Sequence, residues 1–266
     1  MKNLLYILIT FLVFTSCSEY QKALKSEDVA VKFSMGEKLY NEGKYNKASR
    51  LFTQIVPAYR GKPQAEKLMF LDADSYFHLE DHYLAGYRFE RFASAYPRSE
   101  KVEEAYYKSA LSYAQLSPVY SKDQHDTDHA LEQLQLFANL YPDSQYMPKI
   151  NELVKELQYK LELKAYSIAK QYNHISDFKA SISSFDNFIA DFPGTTLREK
   201  ALYYRFDSAY QLAMKSVEYK KEERLNTAIA YYNNFKKTNA ESEFIKDADK
   251  QVEDLKEQLE KYSTKS

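Results

Sequence analysis

Apolar positions along this chain fall in helical stripes separated by short polar breaks. The spacing predicts helix pairs over residues 28–42 and 45–58, 63–79 and 82–96, and 99–116 and 127–141. A long helix over 146–173 comes next, then helices over 176–192, 195–218 and 223–238. Several of these helices are predicted to close in the same way. Phe89 to Tyr96-Pro97, Phe137 to Tyr141-Pro142 and Phe188 to Phe192-Pro193 each end an amphipathic segment on an aromatic and a proline that cannot continue the helix. The last stretch, 242–262, sets Phe244, Ile245, Ala248, Val252, Leu255 and Leu259 on one face and almost only charged or amide side chains on the other. That pattern suits a polar-backed helix capping an array. Residues 18–26 are polar and lack a strong apolar stripe, which suits a tether ahead of the first repeat.

The closures are part of a longer repeat, which resembles the tetratricopeptide (TPR) pattern: small residues where two helices cross, aromatics beside them, and a closing proline. The first unit offers Gly36, Tyr45, Ala48 and Phe52, with Arg60 where proline is expected. The second offers Ala73, Tyr76, Ala85, Phe89, Phe92 and Pro97. In the third, Ala110 and Tyr113 are followed by Ala130, Leu134, Phe137 and Pro142. About eight residues more than the pattern requires lie between its two small positions, and they fall in the Ser117–Thr127 loop. Ala169, Tyr172, Ser181, Phe185, Phe188 and Pro193 make the fourth unit, and Ala209, Ala228, Tyr232 and Phe235 the fifth. The expected fold is therefore all-α: a right-handed α-solenoid of five tandem TPR-like helix pairs over 28–240, with a C-terminal capping helix over 241–266.

Composition narrows the function. Only five glycines leave little material for tight β-turns or a multi-glycine phosphate loop. A net charge of −1 gives no global argument for nucleic acid. The apolar run from Leu4 to Phe14 is too short to span a bilayer and reads as a secretory leader over 1–16. It runs into Thr15-Ser16-Cys17, which resembles a bacterial lipobox, and Cys17 is the one cysteine in the chain. Lipidation of Cys17, with residues 17–27 as the tether, is the expectation, set against a buried and unreactive thiol.

Catalytic patterns are missing. Gly43-Lys44 and Gly61-Lys62 lack the remainder of a phosphate loop, and there is no nucleophile elbow or HExxH helix. His125 and His129, four apart among Asp123, Asp126 and Asp128, would share a helix face and could meet a metal. The plainer reading makes this a polar loop in which Asp126, Thr127 or Asp128 caps the next helix. No cofactor, no metal and no enzymatic activity are expected.

A binding role has candidate residues instead. In TPR arrays the first helix of each pair lines the concave face. Its outward positions here would be Phe33 and Tyr40, then Phe70, Asp74 and Phe77, then Tyr107. Such aromatics suit an extended peptide, and Lys67 beside them could meet a terminal carboxylate. Tyr203, Phe206 and Tyr210, with Arg198, Lys200 and Arg205 nearby, have the aromatic-and-arginine composition of a protein interface.

Residues 117–193 carry a closer resemblance. The inserted loop with Lys122-Asp123-Gln124-His125, the Tyr141-Pro142-Asp143-Ser144 ending, and a long helix containing Leu157, Tyr159, Leu161 and Tyr166-Ser167-Ile168-Ala169 resemble the BamD family. These are the TPR lipoproteins of the outer-membrane β-barrel assembly machine. The resemblance implies a lipid-anchored protein on the periplasmic face of the outer membrane. It also implies that the C-terminal repeats bind the periplasmic repeat domains of the barrel-forming assembly protein, while the N-terminal repeats receive unfolded outer-membrane proteins. A TPR lipoprotein of another envelope complex, serving secretion or uptake, is the alternative.

Overall fold

The computed structural model describes residues 19–263, so Cys17 and the leader lie outside the described residues. Among those described, the regular structure is helical. Residues 19–25 form α1, followed by α2 (Val29–Asn41), α3 (Tyr45–Ile55), a 3-10 turn (Val56–Tyr59), α4 (Ala65–His78) and α5 (His82–Ala95). Next come α6 (Val102–Leu116), α7 (His125–Leu140) and α8 (Met147–His174). The chain ends with α9 (Phe178–Asp191), α10 (Arg198–Met214), α11 (Glu218–Thr238) and α12 (Ile245–Ser263). None of these helices is long and apolar enough to cross a membrane.

Two compact units divide the chain. Unit 1 holds residues up to Pro118 together with Asp123–Leu157, and unit 2 holds Val119–Lys122 with Gln158–Ser266. Helix α8 contributes its first part to unit 1 and its remainder to unit 2.

Three of the turns within pairs share one backbone solution. Gly43, Glu80 and Ser176 all adopt positive φ (71°, 57° and 65°) immediately after a helix. The next residue's N–H then returns to a carbonyl five positions back: Lys44 to Leu39, Asp81 to Tyr76, and Asp177 to Tyr172. This is the Schellman closure, which satisfies carbonyls that a helix end leaves unpaired. Asp81 and Asp177 then cap the following helix, accepting from Leu84 N and Ala180 N at 3.2 Å each.

Junctions between pairs use a different device. Ser99 donates to Glu66, Ser144 to Glu103 and Ser242 to Glu199, each at 2.6 Å. Every one of these hydroxyls also accepts the N–H two residues on, from Lys101, Tyr146 and Phe244. A turn serine thus fastens the start of one pair to the first turn of the preceding one, through a charge-assisted hydrogen bond.

Small residues let the helices approach. Ala48, Ala73, Ala85, Ala110 and Ala130 in unit 1, and Ala169, Ala201 and Ala228 in unit 2, are at most 1% exposed. Gly36 is the tightest crossing, since a Cβ there would stand 2.5 Å from the Phe52 ring, and Phe52 is wholly buried. Gly36→Ala is accordingly expected to cost about 1–3 kcal/mol through overpacking. A lowered urea midpoint with unchanged helicity at low denaturant would register it; an unaltered midpoint would mean that α2 and α3 slide apart freely.

The N-terminus holds more regular structure than its polar pattern predicts. Residues 19–25 are helical, and they bury Tyr20 and Ala23 against Leu39, Ala48 and Leu51. Tyr20, Ala23 and Leu24 form a short i, i+3, i+4 stripe, enough to dock a single turn on a core already built by α2 and α3. The fifth helix pair also departs from the sequence reading. Helix α10 stops at Met214 and α11 starts at Glu218, against predicted bounds of 218 and 223. At the other end of unit 2, α12 lays Ala248, Val252 and Leu255 onto Leu202, Phe206 and Phe235 and leaves its charged face outward.

Candidate binding groove

Within unit 1 the first helices of successive pairs are stitched together along one face. The Tyr40 hydroxyl of α2 and the Lys108 amine of α6 (2.5 Å) both bond the Asp74 carboxylate of α4, each from a position 34 residues away. The repeat thus takes the form of a ladder of hydrogen bonds with the period of the sequence. His78 adds a contact to Asp74 at 3.3 Å, and Glu104 holds Lys108 from its other side at 2.8 Å. Asp74 is almost completely buried and Lys108 is 17% exposed. Burial works against the Lys108 charge, yet Asp74 and Glu104 outweigh it and hold the amine above the ordinary lysine value.

Beside this ladder lies a cavity of about 490 Å³ floored by Phe70, Leu71 and Phe92 and rimmed by Tyr40, Lys67 and Lys101, with Glu66 and Pro63 at its edge. Phe70 is set edge-on against Phe89 and Phe92, with centroids 5.6 and 5.3 Å apart. Of the six residues expected to line one groove, Tyr40, Lys67 and Phe70 meet here. Phe77 instead faces a second cavity of about 430 Å³, with His78, His82 and Leu111. Phe33 stacks on Tyr59 of the 3-10 turn at 5.6 Å and Tyr107 stacks on Tyr146 in the turn before α8 at 4.0 Å, so both rings are engaged by neighbouring turns. Lys67 is not a free cation, because Glu37 already pairs with it.

The docking patch expected in unit 2 is mostly tied up in contacts within that unit. Phe206 is fully buried and packs on Tyr232, with ring centroids 5.6 Å apart. Tyr203 stacks on Phe244 at 4.4 Å, and burial pushes its hydroxyl up to about 12. Arg205 is 11% exposed, paired with Asp186 at 2.8 Å and lying over the Tyr231 ring. Tyr210 donates to Asp254 at 3.0 Å. These residues are stapled to α9, α11 and α12, and only Arg198 and Lys200 remain exposed.

The histidine and aspartate cluster serves the loop. Asp123 accepts from the N–H of His125 at 2.9 Å, so it, and not Asp126, Thr127 or Asp128, supports the start of α7. Thr127 is buried and bonds Ser117 and Gln124, while His129 sets its edge on Tyr113 at 4.4 Å. Among the described residues no three His, Cys, Asp or Glu side chains are grouped to hold a metal ion.

Sequence reasoning missed Asp72. This carboxylate is 3% exposed, pairs with Arg88 of α5 and meets the Thr53 hydroxyl of α3 at 3.4 Å. Arg88 in turn lies over the Tyr76 ring at 4.5 Å. Burial pushes the Asp72 carboxyl up to about 6 against the opposing pull of Arg88 and Thr53. With the folded value above an unfolded value near 3.8, the group's contribution to stability is fully present below pH 4 and is lost as pH rises through 6. Asp72→Asn should therefore flatten the stability profile between pH 4 and 6.5 by about 2–3 kcal/mol relative to the unmodified chain. Urea titrations of both proteins at the two pH values test this, and parallel profiles would rule it out.

Helix pairs with alanine crossings and aromatic closures, three of them turned through a left-handed residue, define a TPR-like helical-repeat protein. Within that class the chain belongs to the YfiO family, described as "Outer membrane lipoprotein", which matches residues 25–225. It is also 22% identical over 205 residues to the outer membrane protein assembly factor BamD of Caulobacter vibrioides. That alignment covers 77% of this chain and 66% of the relative, slightly less than two thirds of the relative's length. The chain is thus a lipoprotein of the outer membrane.

Proposed function

We propose that this lipoprotein is a non-catalytic scaffold for outer-membrane protein assembly, anchored through lipid on Cys17 and facing the periplasm. Its five helix pairs hold two partners. The groove of unit 1 receives unfolded outer-membrane proteins, and the exposed Arg198 and Lys200 edge of unit 2 contributes to docking of the barrel-forming assembly protein. The observation that carries the first half is the apolar-floored cavity between Tyr40, Phe70 and Phe92, of a size suited to peptide side chains. Kinship to an assembly factor supports the second half.

A mild-detergent pull-down of the tagged full chain, with mass spectrometry of everything retained, tests the reading. Recovery of a large β-barrel protein with periplasmic repeat domains, reduced by the double charge reversal Arg198→Glu/Lys200→Glu, is the expected result. Recovery of a secretion or uptake complex without such a barrel would replace this function with the alternative envelope role.

A further inference from the structure

We propose that the edge of unit 1 formed by its within-pair turns rests on the phospholipid interface, with Leu79 and Tyr83 as the side chains that enter it. This rests on lipid at Cys17, as proposed above, and adds a second point of membrane contact. Helix α1 fixes where the anchor emerges. Glu19 pairs with Lys38 in the last turn of α2 at 3.3 Å. The Lys47 amine, in the first turn of α3, lies 5.3 Å from the centre of the Tyr20 ring. The chain therefore enters the fold beside the α2–α3 turn. Cys17 stands two residues before Glu19, a reach of at most about 7 Å. A lipid on its thiol holds this edge, and not the opposite one, against the bilayer.

The α4–α5 turn is the next along that edge. His78, the last residue of α4, stacks on Tyr45, the first of α3, with ring centroids 4.2 Å apart, so the two turns are neighbours. Leu79 follows at 37% exposed, and Tyr83 in the first turn of α5 is 66% exposed. A lipid interface suits both. The leucine can enter the acyl boundary, while a tyrosine ring sits at headgroup level with its hydroxyl in water. The turns between pairs present other chemistry, with Arg60, Lys62, Arg98 and Glu100 exposed. Two apolar side chains alone bind a bilayer weakly. Beside a lipid anchor the contact becomes intramolecular, at effective concentrations on the order of millimolar, and weak contact suffices.

Quenching by nitroxide lipids tests the proposal, with the full lipidated chain reconstituted into vesicles of phosphatidylethanolamine and phosphatidylglycerol. A lipidated Cys17 has no free thiol, so a cysteine introduced by Lys44→Cys, Tyr83→Cys or Arg98→Cys alone takes a polarity-sensitive fluorophore. Headgroup nitroxides should quench the probes at positions 44 and 83 and spare the one at 98, which lies in a turn between pairs. In Lys44→Cys/Leu79→Glu/Tyr83→Glu the ratio of docked to undocked chains should fall about 10-fold, equivalent to about 1.4 kcal/mol of lost apolar transfer. Equal quenching at 98 and 83, or quenching at 44 that the two glutamates leave unchanged, overturns this inference and leaves lipid at Cys17 standing. Concentration-dependent self-quenching of the position 83 probe in detergent, which would place a second copy on this edge, overturns it too. Labelling of the unmodified chain at Cys17, or its failure to float with the vesicles, overturns the lipid reading as well.

Discussion

Phe206→Ala is expected to lower the free energy of unfolding by about 3–5 kcal/mol, among the largest single losses available in unit 2. The ring is fully buried and touches the α11 and α12 side of the core that also contains Leu202, Tyr232, Phe235 and Val252. Truncation leaves a cavity whose walls are themselves held from both sides, so collapse is limited. Tyr203→Ala, at a half-buried ring stacked on Phe244, should cost less. Chemical denaturation followed by helical circular dichroism measures both. If Phe206→Ala unfolds like the unmodified chain but fails in the pull-down, the residue would be a docking contact after all.

That distinction marks where sequence reading stops in this protein. Tyr203, Phe206 and Tyr210 stand at i, i+3 and i+7, which identifies one helix face but not what covers it. A stripe waiting for a partner and a stripe already covered by the next helices of the same array have the same spacing. The helices themselves are legible because their ends are chemically punctuated: Pro97, Pro142 and Pro193 stop extension, and Asp28, Asp81 and Asp177 each cap the next helix. Tyr40, Asp74 and Lys108 can be placed on one face from their 34-residue spacing, yet which atoms meet depends on side-chain reach. The serine latches have a local signal, a Ser two residues past Pro97 and Pro142, but their partners Glu66 and Glu103 lie 33 and 41 residues back. Unequal spacing hides such pairs from a periodic search. Residues 19–25 read as a tether in the sequence because their three apolar side chains form a stripe too short to stand out until a neighbouring core exists to receive it.

Asp74→Ala is expected to destabilise unit 1 by about 3 kcal/mol or more, because it breaks a buried ion pair from one side. Its carboxylate is the common acceptor for Tyr40, Lys108 and His78, so the loss unties α2 and α6 from α4 at once. Lys108 keeps Glu104 as a partner, which places the expected cost at the lower end of the range for stranded charges. Replacing both members with apolar residues of similar volume, as in Asp74→Leu/Lys108→Met, should recover most of the stability, since no charge is then left buried. Peptide binding separates stability from groove positioning, since Tyr40 loses its acceptor in both variants. The double variant keeps Phe70 and Phe92 supported but leaves Tyr40 without its acceptor at the cavity wall. It should therefore fold well and bind an extended, aromatic-containing peptide several-fold more weakly, if the ladder positions the groove as well as holding the repeats together. Full recovery of both stability and affinity would reduce the ladder to packing alone.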